Sequence, residues 1–119
     1  MINTESDYHF AIIVSDFNTE ITSELLNGTL SRLKAHTIKN SAEKINYDVY
    51  HVPGAVEIPL IAQTLARQQQ VDAIICLGAV IRGETTHYDY VCEQVSNGCQ
   101  RVALDHHIPV IFGVLTTEN

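Results

Sequence analysis

Basic side chains are scarce in this sequence: seven Lys and Arg stand against fourteen Asp and Glu, a formal net charge of −7 at neutral pH over 119 residues. Such a chain lacks the positive footprint that a phosphate backbone requires, so nucleic acid is excluded as a partner and any anionic ligand must be held by local groups. Long apolar runs are missing too. The longest are of strand length, well short of the roughly 20 residues that span a bilayer, so a soluble protein with no membrane partner is expected. The amino-terminal MINTESDYHF has no basic stretch leading into an apolar one, so no secretory signal is read and a cytoplasmic location is expected. Cys76, Cys92 and Cys99 are odd in number and show no CxxC spacing, which points to reduced cysteines in the core rather than a disulfide framework or a metal knuckle. There is no low-complexity tract, internal repeat or linker. With 45% hydrophobic and 18% charged residues, the composition is that of one globular domain spanning residues 1–119.

The apolar pattern alternates between two periods. FAIIVS (10–15) is a short β-branched run closed by the turn residues DFN, and so reads as a strand. Ile21, Leu25, Leu26, Thr29, Leu30 and Leu33 recur at three- and four-residue steps, which predicts an amphipathic helix from about Thr19 to Ala35 despite Gly28. TIKNSAEKI (37–45) is polar and reads as a loop. YDVYHV (47–52) is a second strand, stopped by Pro53-Gly54 because proline cannot donate to a ladder. AVEIPLIAQTLARQQQ (55–70) resumes a helical period, provided that Pro59 lies in the first turn. DAIICLGAV (72–80) is a continuous apolar run suited to a central strand covered on both faces. Tyr88, Val91, Cys92, Val95, Cys99 and Val102 predict a helix over about 87–104, and PVIFGVL (109–115) a fourth strand. The order β-α-β-α-β-α-β implies an α/β three-layer αβα sandwich on a four-stranded parallel sheet, with ligands at the carboxyl ends of the strands. Thr116 or Thr117, with Glu118 beyond, has the look of a helix N-cap. A terminal helix is therefore expected after Asn119, and without it or a neighbouring subunit one face of the fourth strand should lie bare.

The chemistry-bearing residues fall in the segments that follow the strands. In RGETTH (82–87), Gly83 permits close approach of the backbone, and the amides of Glu84 and Thr85 lead into the first turn of the third helix. Free N–H groups and the positive end of the helix dipole make an anion cradle there. Thr85 and Thr86 either add hydroxyl bonds to that anion or cap the helix, and spacing does not choose between these. His87 sits at the same helix start, where the dipole disfavours the imidazolium and leaves a neutral ring suited to moving protons; a histidine simply bonded at the surface is the alternative. Glu57 follows PGAV, where it either satisfies the helix dipole or accepts from the hydroxyls of a polyol. Phe17, after the first strand, either stacks on a planar heterocycle or forms a hydrophobic staple. Phe112 alternates with core positions and reads as packing. His106 and His107 are adjacent rather than four apart, so no metal site is read. Cys92 and His87 are five apart and do not share a helical face, so a Cys-His nucleophile is poorly supported.

The segments SDFN, VPGAVEIP, LGAVIRGETTHYDYV, VSNG and PVIFGVLTTEN, in this order and spacing from Phe10 to Asn119, resemble the lumazine synthase family. RGETTH combined with VPGAVEIP is the specific part. The resemblance implies a flavodoxin-like sandwich assembled as a homo-oligomer, a pentamer or multiples of it up to a sixty-subunit shell. It implies condensation of 5-amino-6-(D-ribitylamino)uracil with 3,4-dihydroxy-2-butanone 4-phosphate to 6,7-dimethyl-8-ribityllumazine in riboflavin biosynthesis, with neither metal nor organic cofactor. By matching position, Phe17 is implied to stack on the pyrimidine with Asn18 beside it, and Gly54, Ala55, Val56 and Glu57 to hold the ribityl chain. Val80 and Ile81 are implied to meet the ring through their backbone, Gly83, Glu84 and Thr85 to receive the phosphate, and His87 to transfer protons. Phe112 is implied to reach the site from an adjacent subunit. The family continues beyond TTEN into a region that carries an arginine for the phosphate, so a 119-residue chain complete as it stands is expected to turn over weakly. Arg82 is expected to be structural rather than a replacement. The alternatives are a ligand-binding, assembly-competent relative without turnover, and an unrelated Cys/His hydrolase.

Overall fold

The computed structural model describes residues 6–40, 42–83 and 86–118. Strands β1 (Ser6–Ser15), β2 (Glu43–Val52), β3 (Ala73–Ile81) and β4 (Val110–Thr117) form one parallel sheet in the order β2-β1-β3-β4. Helices α1 (Thr19–Lys39), α2 (Ile58–Gln68) and α3 (His87–His106) connect them, with a 3-10 turn at Ala55–Glu57 ahead of α2. This is the order in which a flavodoxin-like doubly wound sheet begins.

The two central strands explain the layering. In β1, Ala11, Ile12 and Ile13 are all fully buried. Because side chains alternate, successive residues go to opposite faces. Ala11 and Ile13 join Ile74 and Cys76 of β3 beneath α2 and α3, where Ile58, Ala62, Leu65, Val95, Cys99 and Val102 complete the larger core. Ile12 and Val14 join Leu77 on the other face, covered by Leu25, Leu26, Leu30 and Leu33 of α1. A strand so covered has no solvent face, which is why β1 and β3 are apolar at consecutive positions rather than alternate ones.

Several boundaries differ from those expected. Within the polar segment 37–45, read as a loop, residues 37–39 form the last turn of α1 and residues 43–45 the start of β2. Thr37 Oγ1 donates to the Leu33 carbonyl (3.1 Å), and the Asn40 N–H closes the helix on the His36 carbonyl (2.8 Å). His36 Nε2 meets Glu43 Oε2 at 2.6 Å, so the helix end and the strand start are fastened to each other. As an edge strand, β2 needs little apolar character, and its polar opening EKIN is paired all along β1. Thr116 and Thr117, read as a helix N-cap, instead end β4, in register with Val80 and Ile81. The open edge of β3 supplies hydrogen-bond partners that outweigh the local capping preference. Pro59 does lie in the first turn of α2. On the α1 side of the sheet, Ile111 and Leu115 of β4 remain 52% and 46% exposed, the bare face anticipated for that strand.

Candidate active site

Parallel strands all end on the same side, so the segments following β1, β2 and β3 come together there. They enclose a cleft of about 490 Å³. Phe17 comes from the β1–α1 loop, Pro53, Gly54, Ala55, Val56 and Glu57 from the turn after β2, and Ala79, Val80 and Ile81 from the end of β3. One face of α3 closes the cleft with His87, Tyr88, Tyr90, Val91 and Gln94.

The first two segments are bonded to each other. The Asp16 N–H donates to the Val52 carbonyl (2.8 Å) and the Phe17 N–H to the Pro53 carbonyl (3.0 Å). Asn18 then takes a left-handed conformation (φ 61°), which an asparagine tolerates better than most residues, and its carbonyl accepts from the N–H groups of Ile21 and Thr22 to start α1. Phe17 is left 54% exposed with its ring on the cleft, so it does not serve as a hydrophobic staple.

Glu57 is held by its own turn, its N–H donating to the Gly54 carbonyl (3.2 Å). Its Oε2 is buried and finds no hydrogen-bond donor among the described residues. A Cβ on Gly54 would lie 3.2 Å from that oxygen, tighter than most such contacts, so glycine leaves the carboxylate its room. A buried acceptor without a donor is costly, and the cost is relieved when a ligand hydroxyl supplies one.

His87 is the first residue of α3 and is exposed on the cleft. Thr86, at the N-cap, makes no side-chain cap bond, so of the two readings left open for it, capping is not the one observed. Glu84 and Thr85 lie outside the described residues. Nothing among the described residues comes within 4 Å of a Cβ placed on Gly83. Arg82 is engaged structurally: its N–H donates to the Thr117 carbonyl (2.7 Å), its guanidinium lies 5.8 Å from the Tyr88 ring centroid, and Nη1 is 3.9 Å from Glu118 Oε1.

Of the residues singled out in the sequence, the cleft brings together Phe17, Gly54, Ala55, Val56, Glu57, Val80, Ile81 and His87. Asn18 and Gly83 flank it without lining it, and Phe112 stands on the outer strand β4, 44% exposed rather than packed in the core. Pro53, Ala79, Tyr88, Tyr90, Val91 and Gln94 line the cleft and were not anticipated. The signal for part of this set was present, since 87, 90, 91 and 94 have the spacing of one helical face. Cys76 and Cys99 are buried and Cys92 half-buried, all three free. A hydrogen bond shared with Cys99, together with burial, pushes the Cys76 thiol up, so it stays protonated and inert. Cys92 is not among the cleft residues, which leaves the Cys/His hydrolase reading without a site. No helix among the described residues is long and apolar enough to cross a membrane.

The model of the 6,7-dimethyl-8-ribityllumazine synthase family matches residues 7–119. A 6,7-dimethyl-8-ribityllumazine synthase of Coxiella burnetii (strain Dugway 5J108-111) is 56% identical over 114 residues, which are 96% of this chain and 73% of the relative. Its counterpart from strain CbuG_Q212 is 55% identical over the same length. With a family model covering nearly all of its length and relatives of this identity, the chain belongs to the 6,7-dimethyl-8-ribityllumazine synthase family.

Proposed function

We propose that this protein is a transferase of riboflavin biosynthesis, condensing 5-amino-6-(D-ribitylamino)uracil with 3,4-dihydroxy-2-butanone 4-phosphate to form 6,7-dimethyl-8-ribityllumazine. The observation that carries the reading is the meeting, around one cleft, of an exposed aromatic ring, a buried carboxylate oxygen with no donor among the described residues, and a histidine at a helix start. Each answers one part of the substrate pair. Phe17 offers a face for the pyrimidine, bordered by Asn18. Glu57 Oε2 accepts from the ribityl hydroxyls, along the wall made by Gly54, Ala55 and Val56. Val80 and Ile81 meet the ring through backbone groups. Gly83, Glu84 and Thr85 receive the phosphate at the positive end of α3.

The amine and the ketone are reactive partners in themselves. Holding them side by side removes the entropic cost of their encounter, and that is the larger part of the acceleration. What remains is proton movement: water leaves as the imine forms, phosphate leaves next, and ring closure of the second amine on the carbonyl expels a second water. His87 beside the cleft takes up and returns protons in these steps. The chain acts as a cytoplasmic homo-oligomer, a pentamer or multiples of it, with Phe112 reaching the site of the adjacent subunit from the outer strand.

The test is to supply both substrates to the purified protein and follow the lumazine by its absorbance and fluorescence. Product is expected only when both are present, in proportion to enzyme. Formation no faster than in buffer, by a protein that is folded, overturns the proposal.

A further inference from the structure

Phe17 is useful as a stacking platform only if its loop keeps the ring over the cleft, and the loop carries a side-chain brace besides its two backbone bonds. His51 Nδ1 lies 2.8 Å from Asp16 Oδ1. An ionised carboxylate only accepts, so the bond requires the hydrogen on His51 Nδ1. Asp16 immediately precedes Phe17, and His51 immediately precedes the Val52-Pro53 pair whose carbonyls receive the Asp16 and Phe17 N–H groups. The brace therefore spans the point at which both loops leave the sheet. On the other side of Phe17, Thr19 Oγ1 donates to the Asp16 carbonyl (2.8 Å) and limits rotation there.

Neither His51 nor Asp16 lines the cleft, and their side chains are 55% and 56% exposed. An exposed pair of this kind contributes little to folding. Its effect falls instead on how much order the loop retains before ligand arrives, which appears in affinity rather than in the chemical step. The same chemistry occurs at His36–Glu43, at the opposite end of the sheet where α1 ends and β2 begins. That pair is remote from the cleft and serves as an internal control.

We infer that His51, through its bond to Asp16, is a positioning residue that holds the Phe17 loop in its ligand-binding arrangement and so sets the affinity for the ribitylaminouracil. The inference rests on the proposed function only for the identity of that ligand. The brace itself is a property of the loop, and it is measured separately.

The experiment compares His51→Phe, which keeps a ring but removes the Nδ1 donor, with His51→Asn, whose amide nitrogen sits where Nδ1 was. His36→Phe is the control. His51→Phe is expected to raise KM for the ribitylaminouracil about three- to fivefold, the size suited to an exposed pair. Its kcat and its KM for the butanone phosphate should stay within about twofold, and His51→Asn and His36→Phe should resemble the parent. In parallel, amide hydrogen exchange at Phe17 should quicken in His51→Phe and recover in His51→Asn. An unchanged KM in His51→Phe, or an effect of equal size in His51→Asn, overturns the inference. If the parent makes no lumazine, the proposed function fails on its own account; the brace is then judged by exchange alone, and an unaltered Phe17 amide refutes it.

Discussion

Glu57 shows how a single side chain can announce a ligand. Its Oε2 is buried and has no donor among the described residues, while glycine at position 54 keeps the space beside it clear. The fold gains nothing from that arrangement, so its removal should cost the fold nothing. Glu57→Ala is expected to leave thermal stability unchanged or slightly higher. It should weaken binding of the ribitylaminouracil about 10- to 100-fold, the equivalent of one hydrogen bond to a charged acceptor at about 1.5–3 kcal/mol. Isothermal titration beside a melting curve separates the two effects, and a loss of stability with affinity intact would mean that Glu57 is structural. Phe17, Glu57 and His87 could be found from sequence because each is a residue type with distinctive chemistry just after a strand. Tyr90 and Gln94 were missed because the reading of α3 followed its apolar stripe and not the polar face that begins at His87. The bond between Asp16 and His51 joins residues 35 apart in the chain, beyond the reach of any local pattern.

At the scale of elements, the turn that opens α2 brings Glu57 to the cleft and α3 brings His87, so the packing of α2 on α3 sets the distance between the two. They approach closely at Gly98, where an added Cβ would lie 2.7 and 2.8 Å from Cβ and Cγ of Pro59. A proline ring cannot swing aside. Helix propensity alone favours alanine over glycine by about 1 kcal/mol, but forcing an overpacked contact costs about 1–3 kcal/mol, and the overlap should win. Gly98→Ala is expected to lower Tm by several degrees. Gly28, in the middle of α1, has nothing among the described residues within 4 Å of its Cβ position, so Gly28→Ala should raise stability by about 0.5–1 kcal/mol. Opposite signs in paired melting curves test the packing of α2 on α3, and a gain at both positions would contradict it. The interior elements were legible from sequence because β1 from Phe10 to Val14 and the whole of β3 are apolar at consecutive positions and α1 keeps a helical period. Residues 37–39 and 43–45 were not, because their placement comes from His36 meeting Glu43 and from pairing with β1, both of which are tertiary. The end of β4 was misread for the same reason: two threonines suited to a cap are drawn into the ladder by β3.

At the scale of the whole molecule, a net charge of −7 means that no general field gathers the phosphate substrate, so recognition must come from the few groups at the cleft. The outer strand leaves Ile111, Phe112 and Leu115 between 44% and 52% exposed, more apolar surface than a parallel sheet ordinarily leaves open. Under the proposed assembly, sedimentation should give a species of five subunits or a multiple of five, and a monomer at working concentration would contradict it. The proposed chemistry is located in the cleft where three segments and α3 converge. Its most direct test is the rate of lumazine formation by the parent protein and by His87→Ala, measured side by side with both substrates at saturation. His87→Ala is expected to lower kcat by about 10²-fold, the low end of what a positioned proton-transfer group supplies, while KM for each substrate changes by less than about threefold. Equal turnover by the two proteins would contradict it.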